Sequence, residues 1–189
     1  MTDPASTVGR RTASAPRSDR DTSIRFATAA DVIPLHALIE SGYRGDSARL
    51  GWTHEADIVE GERTTIEELR AIVDDPGSRM LVIQDAAALV GCVHVRKKSG
   101  GLCYLGMLCV APRRQAGGIG KDLIAAAERT AVEVFSAERM EMTVIDRRSE
   151  LIAFYERRGY APTGERRAFP VPVVSNLNFV VLSKPLAFV

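Results

Sequence analysis

A chain of 189 residues, 46% hydrophobic and 26% charged, is long enough for one domain with a hydrophobic core and has the composition of a globular protein. Its formal net charge of +1 gives no electrostatic footprint for nucleic acid. No run approaches the roughly eighteen apolar residues of a membrane span, so neither nucleic acid nor membrane is an expected partner and a cytoplasmic location is expected. Cys92, Cys103 and Cys109, odd in number and all within apolar runs, fit buried thiols rather than a disulfide framework or a zinc site, and no metal is expected.

Residues 1–22 are rich in Ser, Thr, Ala and Arg and carry only Met1 and Val8 as larger apolar side chains, which predicts a disordered tail ahead of a domain over 23–189. Asp3, Asp19 and Asp21 count against an organellar transit peptide. Ile24 to Ala27 suits a strand, and Asp31 can cap a helix with Val32, Leu35, Leu38 and Ile39 as its apolar stripe. Pro34 is tolerated in its first turn. Ser41 to Arg63 lacks a sustained period and reads as an irregular loop. Thr65 to Val73 reads as a second helix, ended by the Asp74-Asp75-Pro76-Gly77 turn. Strand signals follow at Met80–Gln84, Leu89–Val95 and Leu102–Val110, the last apolar enough to be buried on both faces. Ile119, Leu123, Ala127, Ala131 and Val134 recur at helical spacing. Beyond them lie a strand around Met140–Ile145, a short helix from Glu150 to Arg158, and strands at Tyr160–Arg167 and Asn178–Ser183. Several strands are adjacent hairpins, so the expected class is α/β with a mixed, largely antiparallel sheet. His36 and His94 lie in apolar periodic segments and read as packed histidines rather than ligands.

The chemistry concentrates between the third strand signal and the long helix. Leu108, Cys109 and Val110 lead through Pro112 into Gln115-Ala116-Gly117-Gly118-Ile119-Gly120-Lys121, a glycine loop opening a helix. The unpaired N–H groups and partial positive charge of a helix start suit phosphate oxygens. Spacing excludes two familiar phosphate loops. The residue five before Gly120 is Gln115 and the residue after Lys121 is Asp122, so a Walker loop fails twice, and Gly117, Gly118 and Gly120 miss the dinucleotide fingerprint.

Gln115-x-x-Gly118-x-Gly120 after Leu-x-Val-x-Pro resembles the signature of the GNAT superfamily of N-acetyltransferases. Phe154-Tyr155-Glu156-Arg157-Arg158-Gly159-Tyr160 resembles its second motif, and Ile24 to Asp31 its opening, so the similarity covers about residues 24–186. The resemblance implies a GNAT-like fold, a mixed, mostly antiparallel sheet of six or seven strands flanked by about four helices. It also implies acetyl-CoA as co-substrate, its pyrophosphate on residues 115–120 and its pantetheine beside Leu108–Val110, with Tyr155 as the acid that protonates the departing thiolate. Many members carry a Glu on the strand entering the glycine loop, whereas Tyr104 to Leu108 contain no carboxylate. Arg148 stands where the family often has Asn.

The irregular loop is the candidate source of replacement groups, because the corresponding region covers the acceptor pocket in the family. Glu55 and Asp57 are candidate bases, and Tyr43, Trp52, His54 and Arg63 candidate acceptor contacts. The expected function is acetyl transfer to the primary amine of a small molecule. Acetylation of a protein amino terminus or lysine, and a non-catalytic acyl-CoA-binding module, stay open as alternatives. An exposed final strand, Asn178–Ser183, would allow an edge-mediated homodimer.

Overall fold

The computed structural model describes residues 23–44, 48–51, 61–85, 88–169 and 177–187. The expected tail, with Trp52, His54, Glu55 and Asp57, lies outside the described residues. The chain opens with β1 (Ile24–Phe26), a 3-10 turn at Ala29–Asp31 and α1 (Val32–Tyr43). Asp31 does not cap α1 with its side chain. Its carboxylate reaches back to accept from Thr28 N at 2.7 Å and from Arg25 at 2.7 and 2.8 Å. The Arg25 hydrogen bonds hold its carboxyl well below the usual carboxylate range. Asp31 therefore ties the helix start to the sheet edge.

In α2 (Ile66–Asp74), Glu68 N donates to Thr65 Oγ1 at 3.1 Å and Thr65 N to the Glu68 carboxylate at 3.2 Å, a reciprocal cap that fixes where the helix begins. β2 (Ser78–Asp85), β3 (Ala88–Lys97) and β4 (Leu102–Val110) form a meander. α3 (Ile119–Phe135), β5 (Arg139–Ile145), α4 (Ser149–Glu156), β6 (Ala161–Ala168) and β7 (Asn178–Pro185) complete the order. The seven strands run β1-β2-β3-β4-β5-β7-β6, antiparallel throughout except for the parallel β4–β5 pair. The mixed, mostly antiparallel sheet expected from sequence is present. The expectation of a free final strand is corrected: β7 lies inside the sheet between β5 and β6, so the edge strand is β6.

Each face of the sheet carries its own core. Leu81, Val93, Val95, Leu105 and Met142 pack beneath α3 with Leu123 and Ala127. Val82, Cys92 and Cys109 pack beneath α1 and α2 with Leu35, Ile39 and Leu69. Gly91 sets how closely α3 approaches, since a Cβ there would stand 3.0 Å from Ile119 and Leu123 side-chain carbons. β4 is not buried on both faces: Cys103, Leu105 and Cys109 are buried, while Tyr104 and Met107 border an open groove.

Two irregularities of β4 position the site. β4 and β5 pair only from Leu102–Arg139 to Tyr104–Glu141, and beyond that β4 has no ladder to β5. On its other side, Cys92 faces Cys109 and His94 faces Gly106, so β4 places Met107 and Leu108 where β3 places only Val93. This is a β-bulge, with Met107 at φ +47°, a left-handed conformation uncommon for a side-chain-bearing residue.

Candidate active site

A cavity of about 450 Å³ opens where the end of β4, the start of α3 and α4 meet. Its floor is Leu108, Cys109 and Val110, and its rim is Gln115, Ala116, Gly118, Ile119, Gly120 and Lys121. Of the loop residues singled out from sequence, Gly117 alone does not line it. The rim is shaped by its backbone: after a 3-10 turn at Pro112–Arg114, Ala116 adopts φ +63° and Gly118 φ +90° immediately ahead of α3. No atom would lie within 4 Å of a Cβ at Gly118, so this glycine serves the backbone turn and leaves the helix N-terminus open to an approaching group. Gln115 donates from Nε2 to Val110 O at 3.1 Å, which fastens the loop to the strand end.

The walls carry charge of one sign. Arg114, Lys121, Arg148, Arg157 and Arg158 line the cavity, and no Asp or Glu does so among the described residues. Arg114 is ion-paired with Asp85 outside it. The Arg158 guanidinium stacks 3.4 Å over the Phe154 ring and its Nε is buried without a hydrogen-bond partner, and burial followed by repulsion from Arg157 lowers its pKa. Such a wall is suited to a polyanion that brings its own acceptors. Coenzyme A, with a pyrophosphate and a ribose phosphate on an uncharged arm, matches this wall and the glycine rim. Sequence reasoning missed Arg114, Arg157 and Arg158; the Arg157-Arg158 pair within the second motif was the available signal.

Tyr155 lies in the same cavity, 5% exposed, edge-on to Phe154 at 5.4 Å and to Tyr160 at 6.0 Å. Tyr160 is held apart by donating to Glu128 at 3.0 Å, with its phenol pushed up by burial and by that carboxylate. Tyr43 reaches the cavity from α1 and donates to Leu108 O at 2.9 Å, while the Cys92 thiol donates to Met107 O at 3.5 Å. Both bulge carbonyls are thus held by side chains. Arg63 stacks 5.1 Å over the Tyr43 ring and does not line the cavity.

The profile of the acetyltransferase (GNAT) domain matches residues 56–170, more than half of the chain. The chain belongs to the GNAT acetyltransferase family. The PaiA N-acetyltransferase of Thermoplasma acidophilum, solved in complex with coenzyme A, is similar in fold at 16% identity and TM-score 0.68, covering 87% of this chain and 99% of its own. The ribosomal-protein alanine N-acetyltransferase of Escherichia coli is similar at 11% identity and TM-score 0.69, over 89% and 96% of the two chains. A spermidine N-acetyltransferase chimera of Vibrio cholerae is similar at 16% identity and TM-score 0.67, over 87% and 95%. No curated protein matches the sequence.

This GNAT chain has a second concavity on the opposite face of the sheet, lined by α2, the ends of β2 and β3, Tyr104 and Met107 of β4, and Glu141, Thr143, Arg167 and Phe179. The β4 bulge is the partition between the two: Leu108 faces the basic cavity and Met107 the groove. Tyr104 and Thr143 hydroxyls lie 2.6 Å apart, and Arg167 donates to Glu141 at 2.8 Å, which gives the groove a polar floor. Among the described residues no group of three or more His, Cys, Asp or Glu could hold a metal ion, and no helix is long and apolar enough to cross a membrane.

Proposed function

We propose that this chain transfers an acetyl group from acetyl-CoA to the primary amine of a small molecule that enters from the groove face. The observation that carries the reading is the two-sided site: a glycine-rimmed cavity whose charged side chains are all cationic among the described residues, and a groove with a polar floor, with Leu108 and Met107 of the β4 bulge lining one each. Acetyl-CoA would be held by the amides of residues 116–120, with its phosphates toward Lys121, Arg157 and Arg158 and its thioester at Leu108. Beyond Tyr104 the backbone N–H groups of β4 on the β5 side have no ladder partner, and they supply donors for the oxygen that becomes an anion as the amine attacks. The amine nitrogen forms a bond to the thioester carbon, the carbonyl electron pair moves to oxygen and returns, and the C–S bond breaks with its pair on sulfur. Tyr155 gives its phenolic proton to that sulfur, the amine nitrogen releases one proton to solvent as the amide forms, and Tyr155 regains its own from water. Glu55, Asp57, Trp52 and His54, in the loop between Tyr43 and Arg63, are proposed acceptor contacts, and a cytoplasmic location suits a donor of this kind.

Thiol release from acetyl-CoA, followed across a panel of small amines and amino-terminal peptides, tests the reading. Turnover with a small amine is expected. Tight acetyl-CoA binding with no transfer to any acceptor would identify a non-catalytic acyl-CoA-binding module instead, and transfer confined to peptides would move the acceptor to a protein terminus.

A further inference from the structure

The site lacks a carboxylate on the strand entering the glycine loop, and the described groove holds one histidine, His94. Its Nε2 lies 3.1 Å from Ser78 Oγ, and Ser78 Oγ donates to Asp75 Oδ2 at 2.9 Å. Ser78 has a single hydroxyl proton, committed to Asp75, so its oxygen accepts from His94 and the imidazole carries its proton on Nε2. Nδ1 is left with its lone pair, on a side chain that lines the groove. His94 stands directly across from Gly106, the residue before the bulge, where the Tyr104 ring lies 3.2 Å from the place a Cβ would take. We propose that His94, with its tautomer set by Ser78 and Asp75, takes the proton of the acceptor amine during acetyl transfer. This rests on the acetyltransferase reading given above.

The surroundings explain how so weak a base suffices. Burial first and Arg96 second bring the His94 pKa down to about 4, against a smaller opposing pull from Asp75. The groups lining the groove around it are Asp75, Arg96, Lys98, Tyr104, Glu141 and Arg167. A place that keeps an imidazole uncharged disfavours an ammonium for the same two reasons, so an amine seated there is shifted toward its neutral, nucleophilic form. His94 then receives only the more acidic N–H proton of the tetrahedral adduct: the amine nitrogen loses one proton, Nδ1 gains it, and the imidazolium returns it to water after product leaves. Ser78 and Asp75 are positioning residues.

The test uses the full chain, acetyl-CoA and an amine turned over by wild type. His94→Gln is expected to lower kcat on the order of 100-fold with acetyl-CoA affinity unchanged, and free imidazole to restore part of the rate to His94→Ala. Ser78→Ala should fall about tenfold and Ser78→Thr recover; should the His94 variants unfold, this pair and Asp75→Asn read the same chain of hydrogen bonds. Wild-type kcat in His94→Gln, with the loss appearing instead in Glu55→Gln or Asp57→Asn, overturns the assignment while leaving the acetyltransferase reading intact. A wild type that binds acetyl-CoA and acetylates no amine overturns both.

Discussion

The role proposed for Tyr155 rests on its neighbours. On the α4 stripe with Leu151 and Phe154 it has the spacing of an ordinary core aromatic, and it is as buried as one. What sets it apart is the wall it shares with Arg148 and Arg158 in a cavity that no Asp or Glu lines among the described residues. Tyr155→Phe is expected to reduce kcat on the order of 100-fold while the acetyl-CoA dissociation constant stays put, checked by steady-state kinetics beside calorimetry. His94 offers a measurement independent of turnover. Burial holds its folded pKa down at about 4 against 6.5 for an unperturbed imidazole, so the folded protein binds fewer protons than the unfolded chain between those limits. Stability is therefore undiminished above pH 6.5 and declines as pH falls toward 4, with a loss of about 2 kcal/mol by pH 5. Urea unfolding of wild type and His94→Gln at pH 7 and pH 5 measures this, and the variant should lack that portion of the decline.

At the scale of elements, the placement of α3 decides whether its N-terminus can serve a phosphate. Gly91 on β3 controls that placement from beneath, at a distance of 3.0 Å from where a methyl would meet Ile119 and Leu123. Gly91→Ala is expected to cost about 1–3 kcal/mol and to weaken acetyl-CoA binding, although Gly91 itself does not line the cavity. Arg157→Gln, by contrast, should weaken acetyl-CoA about fivefold, with a shallower salt dependence and little change in stability. The glycine loop was legible in the sequence because its meaning is local: a strand, a proline, a Gln and spaced glycines occupy one continuous run. The same holds for α2, whose start is set by Thr65 and Glu68 three residues apart. The position of β7 was not legible, since Asn178–Ser183 reads the same at an edge as it does between β5 and β6. Arg158 was not legible as a cavity residue for a related reason: it stands in the second motif beside Arg157, and only the fold brings its guanidinium over Phe154 and into the cavity wall. His94, read as a packed histidine, is buried as expected.

The whole molecule is a sheet with two dissimilar faces. α3 and α4 pack on one and border a cavity with cationic walls; α1 and α2 pack on the other, beside a groove with mixed charge. A ligand that binds only the folded cavity should stabilise the whole chain by mass action, about 2.7 kcal/mol at a hundredfold excess over its dissociation constant. For a domain of this length, acetyl-CoA should raise Tm by roughly 5–10 °C in differential scanning, and Gly91→Ala should show a smaller rise at the same concentration. The two ends of the segment between α1 and α2 are joined at the protein surface. Arg44 donates to Gly61 O at 2.9 Å, Arg63 N to Glu40 at 2.8 Å, and the Arg63 guanidinium lies over Tyr43. These contacts fix the end of α1 against the lead-in to α2 through residues outside the intervening stretch. Substitutions between residues 45 and 60 are therefore expected to leave the Tyr43–Leu108 hydrogen bond in place, and with it the bulge carbonyl that it holds.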